Sequence, residues 1–389
     1  MKSRIYIYSR KFFLSLSFSL FLAFFPVYVS AQEFQTIQDG IEYAKFTRKI
    51  KNEPVVVNLL RLDLSKVRLD VVHAADTAIG TETTSSMARR HGAFAAINAG
   101  FFRLDKSLFA GDAVGVLQVD GKLLSESYGN RIAFGVINRK NKTEVDFKHL
   151  EIVNFLSTEL ASDIPLTGIN RERKEDEIIL LTPQFGKTTL TDSNGTEIIV
   201  RKGKVTNIID GKGNNEIPRD GFIVSVSEKK RREILPKIRI GKKLKINNRI
   251  NGVDESARQN HKFWKEIEDI TNGVPQLIKN GAIEITWEKE KSSKSFVETR
   301  HPRTAIAKLK DKRFLMVTVD GRQPGVSVGM NLNELAEMLL EFGATEAMNL
   351  DGGGSTTMFL NGKIVNQPSD KEGERKVSDA ILVLPRKKR

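Results

Sequence analysis

The sequence predicts an α+β fold: mixed sheets with helices packed on them, a β-rich middle region at about 143–260, and a pseudo-repeat of one helix-strand unit. Three observations carry this. Apolar Val67, Leu69 and Val71 alternate with Arg68 and Asp70, the period of a half-buried strand. Asn331 and Glu334 make a capping-box pair ahead of an apolar stripe of Leu332, Leu335, Ala336, Leu339 and Phe342, closed by Gly343, which is a helix. In the middle, short apolar runs at 178–181, 197–200 and 222–226 are separated by clusters of Gly, Asn, Asp and Lys, as strands are by turns.

The elements follow in order. Lys2, Arg4, Arg10 and Lys11 precede an uncharged run over 12–29 that ends in Val29-Ser30-Ala31, the pattern of a signal peptide over 1–31. An uncleaved anchor is the alternative, because the run is nearly long enough to span a bilayer. Residues 32–50 read as a lead-in, 51–385 as the functional domain and 386–389 as a basic tail. The strand at 67–72 is followed by a helix over 81–91, with Thr and Ser at its start and Gly92 past its end. A buried strand at 93–97 then runs into Asn98-Ala99-Gly100-Phe101-Phe102-Arg103. Asp120-Gly121, between 114–119 and 122–124, is a two-residue hairpin signal, and 131–137 is a further strand. Lys229-Lys230-Arg231-Arg232 reads as a solvated turn or as a rim that attracts anions. Residues 304–309 and 314–319 flank a Lys310-Asp311-Lys312-Arg313 turn as a hairpin whose second strand ends at Asp320-Gly321-Arg322. Gly92 to Asn98 and Gly343 to Asn349 share the spacing G-A-x-x-A-apolar-N, each after a helix, which predicts that Asn98 and Asn349 lie near one another.

Composition narrows the function. The chain has no cysteine, so its stability rests on burial, and 389 residues suffice for a sizeable core. The signal pattern predicts an extracytoplasmic protein, and no second apolar run approaches spanning length. A formal charge of +14, four units of it from the cations ahead of the apolar run, suits work near anionic polymers or phosphoglycans. Nucleic acid is not predicted as a partner, because basic and aromatic residues are not interleaved. Oligomeric state is not legible.

The most informative stretch is Asn349-Leu350-Asp351-Gly352-Gly353-Gly354-Ser355-Thr356-Thr357, where an apolar run ends in two polar side chains, three glycines and three hydroxyls. Glycines admit close backbone approach to a ligand, and Asn349 and Asp351, two apart on an extended segment, point to one side. A flexible linker is the alternative, but apolar Met348, Leu350, Met358, Phe359 and Leu360 flank it closely.

These residues resemble the phosphodiester glycosidase family. The likeness is carried by Ile97-Asn98-Ala99-Gly100-Phe101-Phe102, the hairpin around Gly115 and Asp120-Gly121, Arg303-Thr304-Ala305, Val319-Asp320-Gly321-Arg322, Ser327-Val328-Gly329-Met330 and Asn349 to Ser355. Asn170-Arg171-Glu172-Arg173 and Thr182-Pro183-Gln184-Phe185-Gly186-Lys187-Thr188-Thr189 match segments of bacterial members. Two positions depart: Thr271-Asn272-Gly273-Val274-Pro275 stands where a triple-glycine turn is usual, and Ala307 where glycine is. Side chains at Asn272 and Val274 reshape a pocket wall if that turn lines it.

The resemblance implies an exported hydrolase that cleaves a sugar from a glycosyl-1-phosphodiester. Such a reaction needs an anion clamp, a carboxylate to activate water or steady positive charge at the anomeric carbon, and polar groups on the sugar. Arg303 and Arg322 are the phosphate-binding candidates. Asp320 and Asp351 are the catalytic candidates. Asn98, Asn349, Gly352, Gly353, Gly354, Ser355 and Thr356 are the substrate-binding candidates. Each has a structural alternative: a local turn for Asp320, an ion pair for either arginine, a strand-end cap for Asn98 and a structural histidine for His301. The sequence requires no cofactor, though a divalent cation among Asp320, Asp351 and Asn349 is compatible with hard-cation chemistry. Two other readings stay open: a phosphodiesterase cleaving P–O, and a phosphoglycan-binding envelope protein without turnover.

Overall fold

Strand Phe314–Val319 shows why this chain builds sheets with two wet-free faces: Phe314 and Met316 enter one hydrophobic core while Leu315, Val317 and Val319 enter another, so the period of two feeds both. The computed structural model describes residues 33–252 and 261–386. The expected signal peptide and residues 387–389 of the expected basic tail lie outside the described residues. Residues from Phe34 onward form one unit.

The central sheet has eight strands in the order Gln35–Gln38, Ile41–Ile50, Glu53–Leu62, Phe314–Val319, Arg303–Leu309, Ala344–Asn349, Gln276–Lys279 and Ala282–Ile283. Its first two strands come from the stretch read as a lead-in. Ala95–Asn98, Met358–Leu360, Asp379–Pro385 and Val67–His73 belong to a five-stranded sheet. Leu60, Met316 and Met348 of the first sheet share a core with Leu69, Ile97 and Ile381 of the second. A seven-stranded sheet that includes Leu117–Val119, Ile132–Asn138, Thr143–Ser157 and Asp269–Asn272 adds Leu117, Phe134 and Val136 to that core. The middle region supplies another five-stranded sheet, with Ile178–Leu181, Gly195–Arg201 and Gly221–Ser227 around Leu180, Ile198 and Val224.

This corrects the α+β expectation. Among the described residues the protein is mostly β, 45% strand against 12% helix, so helices do not form a layer over the sheets. Mixed pairing is confined to one sheet: Gly168–Ile169 against Ile178–Leu181 is a parallel pair among otherwise antiparallel named ladders. The physical reason is length. Leu332–Glu341 is a ten-residue helix with the predicted capping box, but Thr84–Arg90 ends after seven, with Thr83 as its cap, and helices this short have few turns to bury. The apolar runs between them pair as strands instead. The Asp120-Gly121 hairpin forms with both residues at positive φ, 48° and 73°, and Arg303 pairs with Val319 in the second predicted hairpin.

Two charge readings resolve. Lys229 to Arg232 lie in helix Glu228–Ile234, where Lys229 meets Glu175 and Asp176, Lys230 meets Glu233, and Arg231 meets Asp210 and Glu228. Three of these four cations thus have carboxylate neighbours, so the run is not an open anion rim. Arg386, assigned to the tail, instead donates to the carbonyls of Arg139 and Val67. No helix among the described residues is long and apolar enough to cross a membrane.

Candidate functional site

Strand Ala344–Asn349 lies in the eight-stranded sheet and Met358–Leu360 in the five-stranded one, so the glycine segment is the crossing between them. Its backbone is anchored on both sides. Leu350 N–H donates to Thr304 O, Asp351 N–H to Ala99 O and Gly353 N–H to Pro302 O, each at 2.9 Å. A linker has no such ties, so the segment is a fixed turn.

Each glycine has its own neighbour. A Cβ at Gly352 would stand 2.7 Å from the Pro302 carbonyl. One at Gly353, whose φ is +61°, would stand 2.9 Å from Arg322 Nη2. One at Gly354 would collide with the Arg375 guanidinium and the Asp370 carboxylate, which form a bidentate pair at 2.7 and 3.0 Å. The triple glycine therefore lets two arginines lie against the main chain.

Asp351 is partly buried on this turn. Burial pushes its carboxyl up to about 6, opposed by Ser355, the Gly352 amide and Arg375, and reinforced by Asp379. Gly352 N–H donates to Asp351 Oδ1 at 2.9 Å. Ser355 Oγ exerts its pull without a hydrogen bond of good geometry. Thr356 Oγ1, Thr357 Oγ1 and Asn349 Oδ1 are likewise buried and without a partner among the described residues. Buried polar atoms normally find partners, so this concentration marks a place completed by something other than the protein.

Arg322 is exposed, sits at φ +59° where a non-glycine residue is strained, and meets no carboxylate among the described residues. His301 Nδ1 lies 3.4 Å from Arg322 Nη2, accepting if the ring carries its proton on Nε2. Burial, Arg303 and Arg322 all lower the His301 pKa, which favours that neutral form.

Other candidates do different work. Arg303 is 1% exposed and donates to the carbonyls of Met330, Phe296 and Thr299 at 2.9, 2.8 and 2.7 Å. Burial, with Arg322 next, lowers it to about 10, and only Nη1 lacks a partner. Its Nε and Nη2 fasten loops, and Nη1 is what remains of the fork. Asn98 is fully buried: Nδ2 donates to Asp351 O at 2.6 Å, and Oδ1 accepts from Thr304 Oγ1 and Thr357 N–H. Asn349 Nδ2 donates to the carbonyls of Val274 and Leu350. The two asparagines do converge, since Asn98 bonds the residue two beyond Asn349, but as fasteners of the turn. Asp320 accepts from Asn366 Nδ2 and Gln367 N–H, and burial raises its pKa. Asn366 also donates to Thr356 O, so Asp320 supports the outgoing side of the turn.

Sequence reasoning missed Asp379, which accepts from Gly100 N–H, Ser378 Oγ and Thr271 Oγ1. It missed Arg375 as well. The signal for Asp379 was present: like Asp320 and Asp351 it adjoins an apolar run, here Ala380 to Leu384. Asn272 is buried with both amide atoms unpartnered among the described residues, and Cβ atoms at Gly100 and Gly115 would lie 3.0 Å from its Nδ2 and 2.7 Å from its Cγ. The departing side chain thus occupies space beside the Gly100 and Asp379 wall. Among the described residues no group of three or more His, Asp or Glu is placed to hold a metal.

Residues 194–384 match the family model described as phosphodiester glycosidase. Over 110 residues, 26% of this chain, the sequence is 36% identical to N-acetylglucosamine-1-phosphodiester alpha-N-acetylglucosaminidase of Bos taurus and of Homo sapiens, covering 20% and 21% of those proteins. The chain therefore spans about a fifth of the length of these curated relatives. An uncharacterized protein of Rickettsia conorii is 26% identical over 239 residues, 60% of this chain and 77% of that one. Among solved structures, a hypothetical protein from Synechocystis superposes with a TM-score of 0.76 at 23% identity, covering 91% of this chain and 64% of that one. A Burkholderia pseudomallei protein gives 0.72 at 24%, covering 86% and 74%. These two share the fold.

Proposed function

We propose that this chain, a member of the phosphodiester glycosidase family through residues 194–384, hydrolyses a glycosyl-1-phosphodiester at its glycine turn. The observation that carries the reading is the turn itself, where an Arg322 guanidinium that meets no carboxylate among the described residues and a partly buried Asp351 of raised pKa lie against one glycine run. Arg322 holds phosphate oxygens, and the unpartnered hydroxyls of Thr356 and Thr357 with Asn349 Oδ1 complete the polar wall. Asp351 takes a proton from water as the water oxygen bonds to the anomeric carbon. The anomeric C–O bond breaks with its electron pair passing to phosphate, which leaves as a monoester anion. That leaving group needs little protonation, so one carboxylate near neutrality serves as base. Asp379 raises the Asp351 pKa, and Arg375 opposes it. The pattern over 1–31 supports an exported setting, with envelope or extracellular phosphoglycans as the substrate class.

The test uses the phenyl diester of N-acetylglucosamine 1-phosphate, chosen because the curated relatives are named for that sugar. Wild-type protein should release the sugar, and in isotopically labelled water the label should enter the sugar. Label in phosphate would instead mean P–O cleavage. Equal turnover by wild type, Asp351→Asn and Arg322→Ala would remove both assigned roles, and saturable binding without product would favour a binding protein.

A further inference from the structure

A second site lies beyond the turn. A pocket of about 520 Å³ is lined by Asp112 and Gly115, by Tyr128, and by Arg171, Glu172 and Lys174 of the middle region, among others. Its size is that of ligand clefts. The segment Asn170 to Arg173, which the glycine turn does not use, supplies part of its wall. Gly115, on the pocket wall, packs on Asn272, the same side chain that borders Gly100.

Asp112 is the unexplained group. It is 9% exposed, lines the pocket, and its carboxyl makes no hydrogen bond or ion pair among the described residues. Its oxygens open on the pocket with no protein partner among the described residues, so a ligand or water there would bond them. Burial, with Glu126 next, pushes it up to about 7, so it can donate as well as accept. The pocket's arginines are already matched: Arg103 pairs with Asp105 and Glu172, and Arg171 with Glu126 and Glu177. Besides Asp112, the lining sets Glu126, Glu172 and Glu177 against Arg103, Arg171 and Lys174, so no guanidinium fork is left for an anion. Tyr128 adds a half-exposed ring, with the Arg131 guanidinium 5.1 Å from its centroid. An apolar ring beside a bidirectional hydrogen-bonding carboxyl, in charge-balanced surroundings, matches one ligand class.

We propose that this pocket binds an uncharged sugar residue, Asp112 hydrogen-bonding its hydroxyls and Tyr128 covering its apolar face. The site does not depend on turnover at the glycine turn. Saturation-transfer NMR and calorimetry with the methyl glycosides of glucose and N-acetylglucosamine, and with their 6-phosphates, test it. Wild type should bind a neutral glycoside saturably and its phosphate more weakly. Tyr128→Ala and Asp112→Ala should each weaken binding about tenfold, a loss of about 1.4 kcal/mol, and Asp112→Asn should weaken it less. Tyr128 is exposed, so its variant keeps the test valid if Asp112→Ala fails to fold. Arg322→Ala should bind the neutral glycoside as wild type does. The proposal is overturned if neither neutral glycoside binds, if the 6-phosphate binds as well, or if binding survives Tyr128→Ala and disappears in Arg322→Ala. Sugar binding that needs Tyr128 in a protein inert toward the diester would uphold this pocket and reject hydrolysis at the turn.

Discussion

Replacing Asp351 with asparagine separates a working carboxylate from a structural one, because the two differ in the sign of their pH dependence. The Asp351 pKa rises from 3.8 to about 6 on folding, through burial first. Below about pH 4 the carboxyl is protonated in both states and contributes nothing. Between about 4 and 6 the folded state binds the extra proton, so stability falls as pH rises. Above about 6 the charged group is held where it is disfavoured, at a cost of about 3 kcal/mol for roughly two pKa units. The asparagine variant escapes that cost. Urea unfolding of both proteins at pH 4 and pH 8 should therefore show the variant gaining up to about 3 kcal/mol relative to wild type at the higher pH. Activity should move oppositely. Wild-type kcat/KM on the phenyl diester should rise about tenfold from pH 5 to pH 7 as the base ionises, and the variant should be flat and lower by roughly a hundredfold or more. A stability difference independent of pH, with an unchanged rate profile, would refute the assignment of Asp351 as the buried base.

Arg322→Ala should leave thermal unfolding within about 0.5 kcal/mol of wild type, since the side chain is exposed and unpaired by carboxylate, while raising KM for the diester and weakening inhibition by inorganic phosphate. Arg303→Leu should do the reverse: its buried guanidinium satisfies three carbonyls, so chemical denaturation should show a loss of about 3–5 kcal/mol. An Arg303 variant of normal stability and poor phosphate affinity would restore the clamp role to that residue. Gly354→Ala should cost about 1–3 kcal/mol and loosen the Arg375–Asp370 pair, since the added methyl falls on both partners; a neutral change in the urea midpoint would contradict this packing.

The hairpins were legible because local chemistry settles them: Asp120-Gly121 adopts the two positive φ values its turn needs whatever surrounds it. The Leu332–Glu341 helix was legible for the same reason, through the reciprocal bonds of Asn331 and Glu334. Fold class was not, because it depends on which segments pair over long separations. Glu53–Leu62 finds Phe314–Val319 some 250 residues away, and nothing local in either strand names the other. The site divides along the same line. Asp351 and the glycines stand together in sequence, whereas Asp379 reaches the turn only because strand Asp379–Pro385 pairs with Ala95–Asn98.

Residue type alone also could not tell a fastener from a ligand group, and three asparagines show why. Asn98 spends its amide on Asp351 O, Thr304 and Thr357, so it holds the turn in place. Asn349 spends its Nδ2 on two carbonyls and leaves Oδ1 bare. Asn272 leaves both ends bare. All three are buried, and a buried amide without partners costs more than one that has them, so the distribution is informative. The bare atoms of Asn349 lie at the turn and those of Asn272 beside Gly100 and Gly115, and Asn98, the residue most prominent in the repeated spacing, has the least left to offer a substrate. The departure at Asn272 is thus more than added bulk: it brings an unused donor and acceptor beside Gly100 and Gly115.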